Sequence, residues 1–449
     1  MSAGHSRTLA EYASGLRYED IPADVVQIAK NSIADTFAIM SFGAAMPWSR
    51  MITDYARTNS APGRSRILGT ADCASPPAAA LCNGAFAHAF EMDNLTKPNS
   101  GSHPGATVLS SILALAQDKG VGGRELVTAF VAGSEVMIRI GHATRHSNEK
   151  HGYHAPGTTG PFGAAAGSAR LLKLDADKTA NAIGIAASTA AGILEFAKSG
   201  TGAMVKRLHL GRAGESGVLA ASLAERGFTG PTSALEGEFG FIKVFCREYD
   251  MDALVRGLGS VWASRSILTK RYACHITAHT AVDSAIALRE AHQIRPADIA
   301  SMCVAGTERM LRANNIPRPK DLMMSQYSIP YCVALSMFHN PMDPGSFNDA
   351  TAADPQILDL CARTSMVLAP PPDNQGDMTT TLTITLKDGC SFERRAAHFK
   401  GTPEEALTVG DLRTKFLLVT KQFGTEKMAQ TFDRIQNLEA EDDLAWMGA

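Results

Sequence analysis

Cysteine pairs, blocks of like charge and leader-like segments are all missing from this chain of 449 residues, and each absence removes a class of protein. The eight cysteines, at positions 73, 82, 246, 274, 303, 332, 361 and 390, show no C-x-x-C spacing. A chain of this length needs no disulfide staples, so buried thiols in a reducing cytosol are expected. The formal net charge of -2, without a basic arm or acidic tail, gives no long-range field for nucleic acid and points to a small-molecule partner. The N-terminal segment 1–20 mixes charges throughout and lacks the apolar stretch of a signal peptide, so a cytoplasmic protein is expected. The uncharged segment 98–117 begins with Pro, Asn, Ser, Gly and His and falls short of the roughly 20 apolar residues that span a bilayer, so no membrane partner is expected. No G-x-x-x-x-G-K-[ST] occurs and no G-x-G-x-x-G follows a strand, which leaves nucleotide cofactors without support.

What is present is helical pattern, then a change of character. Two domains are expected from the length. Apolar spacing predicts helices over 23–42 and 125–140 and, with small residues for close packing, over 179–194. Asp175 followed by Lys178 reads as a capped helix start, and Gly141, Gly200 and Gly227 sit where helices should stop. From about residue 264 strands enter. Residues 299–306 have strand length, and 379–387 (TTTLTITLK) alternate with period two before an Asp388-Gly389 turn and the return SFERR. Helices are expected between them at 281–292, 328–338 and 355–364, and helical pattern resumes over 403–423 and 425–440. The expectation is a mainly α protein: an all-helical domain of residues 1–265 and 400–449, with a smaller α+β domain of residues 266–399.

Histidines gather in short clusters with charged residues: HAFEMDN (88–94), SHPG (102–105), HGYHAPG (151–157), VKRLH (205–209) and TKRYACHITAH (269–279). Histidine exchanges protons near neutrality, so repeated pairing with fixed charges points to proton-transfer chemistry. On a helix, Glu91 would share a face with His88 or Asn94, and Asp93 would face elsewhere. His103 stands on a loop, where a rigid scaffold can present a catalytic side chain; the structural alternative for it and for Asp93 is a cap or turn. Tyr153 and His154 offer a phenol and an imidazole to one pocket, with a surface turn as the alternative, and Pro156-Gly157 should halt any helix. Glu91, Asp93, His88 and His103 are all metal-ligand types, but no H-E-x-x-H, Cys/His knuckle or calcium loop is present. Lys206-Arg207 and Lys270-Arg271 suit an anionic substrate, because cations in a dry pocket stabilise charge that builds beside a carboxylate. A solvated face is the ordinary reading of such pairs. His275 and His279 fall i, i+4 at a helix start and point inward; Tyr327 and Tyr331 share the same spacing, and packing explains them.

In this order the stretches HAFEMDN with SHPGATVLS, GYHAPGTTGPFGAAAGSARLL, MVKRLHLGRA, KRYACHITAHTAVDSA and QYSIPYCVA resemble the MmgE/PrpD family, which includes 2-methylcitrate dehydratase, cis-aconitate decarboxylase and iminodisuccinate epimerase. The similarity covers essentially the whole chain and is specific to the family, not to one reaction. It implies a large helical domain with a smaller α+β lid, a homodimer, an active site between the domains, and chemistry on small di- or tricarboxylates without metal or organic cofactor. By motif it carries over Glu91, Asp93, Asn94, His103, His154, Lys206, Lys270, His275 and Tyr331. The first motif departs from the aspartate-rich DFDD of many relatives, and Tyr153 and Tyr272 flank His154 and Lys270, where a second base for an epimerase would be needed. The expected activity is a lyase reaction, dehydration or decarboxylation. Lys206, Arg207, Lys270 and Arg271 would hold carboxylates, His103, His154 and Tyr153 would exchange protons, and Asp93 would orient a histidine. The alternatives are an epimerase and a carboxylate-binding paralogue without turnover.

Overall fold

Helix Gly123–Thr144 has the length and apolarity to cross a membrane, yet 94% of its apolar window is buried inside the protein, which makes it a core helix. It belongs to the first of two units in the computed structural model, Met1–Thr269 with Thr420–Ala449; the second is Lys270–Val419. The structure describes residues 4–98, 101–197, 204–375 and 378–448.

In the first unit, Gly123–Thr144 packs on Ala155–Leu171, and Val205–Glu225 packs on both Ala155–Leu171 and Pro76–Ala87. Phe86, Phe130 and Phe162 of these helices, and Phe37 of helix Ala23–Gly43, are fully buried, each contributing roughly 1.5–3 kcal/mol by leaving water. Small residues set how closely the helices approach. A Cβ on Gly211 of Val205–Glu225 would overlap the carbonyl oxygen of Leu81 in Pro76–Ala87, so only glycine permits this crossing. Helix Thr425–Gln436 lies on Ala23–Gly43, where Lys30 Nζ donates to Gln436 O at 2.8 Å and pairs with Glu439 at 2.9 Å. Two short antiparallel pairings interrupt the helices, Ser65–Arg66 with Cys73–Ala74 and Leu95–Thr96 with Ile267–Leu268. The second is held from behind by buried Glu135, whose carboxylate accepts from the backbone N–H groups of Ala263 and Ser264 at 3.0 and 2.8 Å.

The second unit carries a four-stranded sheet in the order Thr364–Leu368, Ile299–Gly306, Thr380–Leu386, Ser391–Ala396. The first pair is parallel, with Val304 opposite Met366; the others are antiparallel, with Cys303 opposite Thr383 and Ile384 opposite Phe392. Thr380, Leu382 and Ile384 are buried, so the alternation in the sequence does mark the covered face, and helix His279–His292 lies against it. Gly389 takes a positive φ of 91° in the hairpin turn, which Asp388 closes by accepting from Cys390 N–H at 2.9 Å.

Several local expectations need correction. Gly141 does not stop its helix, which runs to Thr144 because the residues beyond it stay buried. Gly200 lies outside the described residues. The helix expected over 179–194 is Ala176–Ala187, capped by Asp175 accepting from Lys178 N–H at 2.8 Å, and the chain after it leaves helical form. Pro156 does not halt a helix; it stands in the first turn of Ala155–Leu171, where a missing N–H is harmless. Helix 355–364 ends at Ala362, and Thr364 opens a strand. The helix expected over 403–423 is confined to Val409–Val419 between two short turns. Of the eight cysteines, all free, five are buried, Cys303 is half-buried, and Cys73 and Cys390 are exposed.

Candidate active site

The site in the first unit begins where helix Pro76–Ala87 ends. His88 is the residue just past it, and Glu91 takes a left-handed φ of 58°, uncommon for a residue with a side chain. That turn sets aside the helical reading of 88–94: Glu91 does not stack on His88, and Asp93 comes back to it instead. Asp93 is fully buried, and its Oδ2 accepts from His88 Nδ1 at 2.8 Å and from His103 Nδ1 at 2.6 Å. A carboxylate accepting from both rings places a hydrogen on each Nδ1, which leaves Nε2 of each imidazole for other partners.

His103 is placed by the segment that follows it. Its carbonyl accepts from Thr107 N–H at 3.2 Å and Thr107 Oγ1 at 3.1 Å, opening a wide π-type turn, Gly105–Leu109, that leads into helix Ser110–Lys119. Such turns often occur at functional sites. Asn94 ties the two segments together, accepting from Gly105 N–H at 3.0 Å and donating to Thr36 Oγ1 at 3.1 Å. Both ends of its amide are therefore engaged in scaffold. A Cβ on Gly105 would overlap Thr36 Oγ1, so this approach too demands glycine.

Lys206, in the first turn of Val205–Glu225, is buried and ion-paired with Glu91. Arg207 beside it lies 4.0 Å over the Trp48 ring and donates through Nε to Ala89 O at 3.1 Å. His154 is buried, its ring 5.9 Å from that of His88, and its Nδ1 lies 3.0 Å from Nδ1 of His209. Tyr153 does not join it. Its backbone bridges to Ile193 and its ring packs 4.7 Å from Phe245.

Electrostatics favour neutral imidazoles at His88 and His154 and a charged aspartate. Burial, with Lys206 adding to it, pushes His88 down to about 4 against the pull of Asp93. Burial would by itself raise the Asp93 carboxyl, but the two imidazoles bound to it hold it well below the usual carboxylate range. His154 is driven well below the ordinary histidine value by burial first, then by His88, Lys206, His209 and His103. Asp93 Oδ1 and His88 Nε2 are buried and have no hydrogen-bond partner among the described residues, as groups that await a ligand or water would be.

His88, Asp93 and His103 are also a possible metal-binding set by residue type. The separations argue otherwise. Two ligands of one tetrahedral ion at about 2.1 Å stand roughly 3.4 Å apart, whereas here nitrogen and oxygen approach to 2.6 and 2.8 Å, as hydrogen-bonded atoms do.

Lys270, Arg271, Tyr272, His275 and Tyr331 lie in the second unit. Lys270 is buried. Arg271 pairs with Asp283 at 3.2 Å, and the Tyr272 hydroxyl donates to the same carboxylate. Burial first, and Asp283 with it, push the Tyr272 phenol up, so this hydroxyl keeps its proton and offers no phenolate to act as a base. His275 is half-buried, hydrogen-bonded to Thr277 Oγ1 at 2.8 Å, and its ring is 4.9 Å from Tyr327. His279 is fully buried between Tyr272 and Phe399. Tyr331 is fully buried in helix Ile329–Phe338. Sequence reasoning missed Thr36, Trp48, Asp283 and His209 as partners. Only His209 carried a signal, its i, i+3 spacing from Lys206.

Comparison with known proteins bears on this arrangement. Residues 7–254 match the MmgE/PrpD N-terminal domain, and residues 272–440 match the MmgE/PrpD C-terminal domain. The chain is 28% identical over 415 residues to a cis-aconitate decarboxylase of Aspergillus terreus, covering 87% of this chain and 84% of that one. It is 27% identical over 456 residues to a cis-aconitate decarboxylase of Homo sapiens, covering 98% and 93%. A third relative, from Mus musculus and of the same description, is 27% identical over 427 residues, covering 92% and 86%.

Proposed function

The chain belongs to the MmgE/PrpD family, and on that premise we propose that it is a cofactor-independent lyase that decarboxylates a small unsaturated tricarboxylate of the cis-aconitate type. Loss of carbon dioxide breaks a carbon–carbon bond and leaves its electron pair on a carbon conjugated with a neighbouring carboxylate. That carbon then takes one proton, so a trianion and a proton give a dianion and carbon dioxide. Such a reaction needs cations for the substrate's charge and a proton donor held against the reacting carbon.

The observation that carries the reading is the single Asp93 oxygen shared by the Nδ1 atoms of His88 and His103. It fixes His103 with Nε2 outward, and it stabilises the imidazolium that a proton-transfer cycle must pass through. His103 retains more exposure than His88, 11% against 2% for the side chains, which makes it the ring that meets substrate. Lys206, with Arg207 next to it, supplies the positive charge. Dehydration of a hydroxylated tricarboxylate uses the same groups and is the neighbouring outcome. Epimerisation requires a second base on the opposite face; the Tyr272 hydroxyl donates to Asp283 and the Tyr153 ring packs on Phe245, so nothing favours either phenol for that role.

Purified protein in deuterated water, given cis-aconitate, 2-methylcitrate and iminodisuccinate in turn, tests this. Carbon dioxide release from the first, with one deuterium in the product, is expected; exchange into returned iminodisuccinate with inversion, or silence across the panel, would overturn it. In the same assay His103→Gln should lower turnover by about 100-fold or more while melting as the wild type does.

A further inference from the structure

His209 lies within the VKRLH stretch, but the reaction has given it no role. It follows Lys206 by three residues on Val205–Glu225, and its Nδ1 stands 3.0 Å from Nδ1 of His154. Its ring is 5.1 Å from that of His154 and 5.9 Å from Phe196. The contact is built from two sides. His154 N–H donates to Gly192 O at 3.0 Å, and a Cβ on Gly192, whose φ is 123°, would meet the His209 ring at 3.0–3.3 Å. Phe196, itself buried, packs edge-on to His154 at 5.2 Å.

Two Nδ1 atoms at this distance share one hydrogen, so one ring donates and the other accepts. His154 is a poor carrier of positive charge where it sits. The groups that press hardest against a charge on it are His88, Lys206, His209 and His103, all of them basic, while Asp93 and Glu91 are engaged by His88, His103 and Lys206. His209 is faced by Lys206 as well as His154, and it is only half-buried. A neutral His209 that accepts from His154 is therefore the group placed to stabilise a protonated His154, much as Asp93 serves His103.

We propose that His209 is the positioning residue of His154: its Nδ1 accepts the Nδ1–H of His154, which leaves His154 Nε2 as the nitrogen that exchanges a proton and spreads the charge of the protonated ring toward solvent. This rests on the proton-transfer reading of the site. In a cycle, a His154 that has taken a proton from solvent at Nε2 passes it on to replace the one that His103 gives to the substrate carbon, and the Nδ1–H stays in place. Water restores the Nε2 hydrogen after product leaves, so no other reactant is called for.

The test compares His209→Leu, which cannot accept, with His209→Asn, whose amide oxygen can. His209→Leu should lower kcat by roughly 10- to 100-fold with KM within a few-fold, and should move the basic limb of the kcat profile to lower pH, because a less stabilised imidazolium loses its proton sooner. His209→Asn should recover most of kcat. Equal loss in both variants, or none in either, overturns the assignment, with melting curves excluding a folding defect. Nitrogen-15 NMR of the histidines, without substrate, should find His154 as the Nδ1–H tautomer in the wild type and a tautomer mixture in His209→Leu. An Nε2–H tautomer in the wild type would refute the proposal. If the wild type turns over no substrate in the panel, the lyase reading fails alone, and the tautomer result still decides the role of His209.

Discussion

Asp93 organises the site through one atom, because a single oxygen accepting from two rings fixes the tautomer of both. In Asp93→Asn the amide oxygen can still accept a hydrogen bond, but the negative charge that tolerates an imidazolium is gone. The amide NH2 then occupies a buried position that has no acceptor, since Asp93 Oδ1 is without a partner among the described residues. Turnover should fall by two to four orders of magnitude, roughly the range seen when a carboxylate that orients a histidine is neutralised, and stability by about 1–3 kcal/mol for the unsatisfied polar group. Steady-state kinetics and urea unfolding check the two effects separately; near-normal turnover would remove Asp93 from the mechanism. At this scale the sequence was partly legible. Residue type singled out Asp93, His103, His154 and Lys206, because imidazole beside fixed charge is a recognisable chemistry. The pairing of His88 with Asp93 was hidden, since it depends on a left-handed Glu91 that no periodicity rule foresees. Asn94 was marked by position in a motif and Tyr153 as a phenol beside His154; the Asn94 amide is engaged in scaffold and the Tyr153 ring packs on Phe245.

Helices bring those residues together only where they can approach. Gly211 lies little more than one turn after Lys206, at the crossing with Pro76–Ala87, whose end carries His88. Two effects compete in Gly211→Ala. Alanine favours the helix by about 1 kcal/mol, while its Cβ would overlap the Leu81 carbonyl oxygen, a backbone atom that cannot swing aside. Overpacking of this kind costs about 1–3 kcal/mol, so the variant should be less stable despite the better helix former. Turnover should drop with it, since the shift carries Lys206 away from Glu91; denaturant midpoints and kcat measured on the same preparation check this, and a stabilised, fully active variant would contradict it. Elements with a strong local period were readable, among them Ala23–Gly43, the strand Ile299–Gly306 and the hairpin around Asp388-Gly389. Those that failed did so where tertiary burial overrode a local cue. Gly141 stays helical because its neighbours are core, and residues after Ala187 leave the helix despite a composition that suits one.

For the whole molecule, the mainly α character with a smaller α+β portion was legible, because the change from 3.6-residue to two-residue period is a property of long segments. The exact limits of the units were less so: helix Val409–Val419 belongs with the sheet although its pattern matches the helical remainder. Stability of the first unit should depend on pH through its buried neutral histidines. His88 has a folded-state value of about 4 against roughly 6.5 when unfolded. Between those values the unfolded chain binds more protons than the folded one, so stability rises with pH, is complete above about 6.5 and is lost as pH falls toward 4. The shift of about 2.5 units corresponds to on the order of 3 kcal/mol at most. Buried His154, also depressed, adds in the same direction. Asp93 is depressed too, so its contribution persists to lower pH and is lost only below the ordinary carboxylate range. The tryptophans Trp48, Trp262 and Trp446 all lie in the first unit, so their fluorescence follows this unit's unfolding. Urea midpoints read that way should decline steadily from pH 7 to 4.5 in the wild type. They should decline less steeply in His88→Gln, where an amide N–H can still donate to Asp93 but nothing titrates. Parallel declines in the two proteins would mean that His88 is not the buried neutral group the geometry requires.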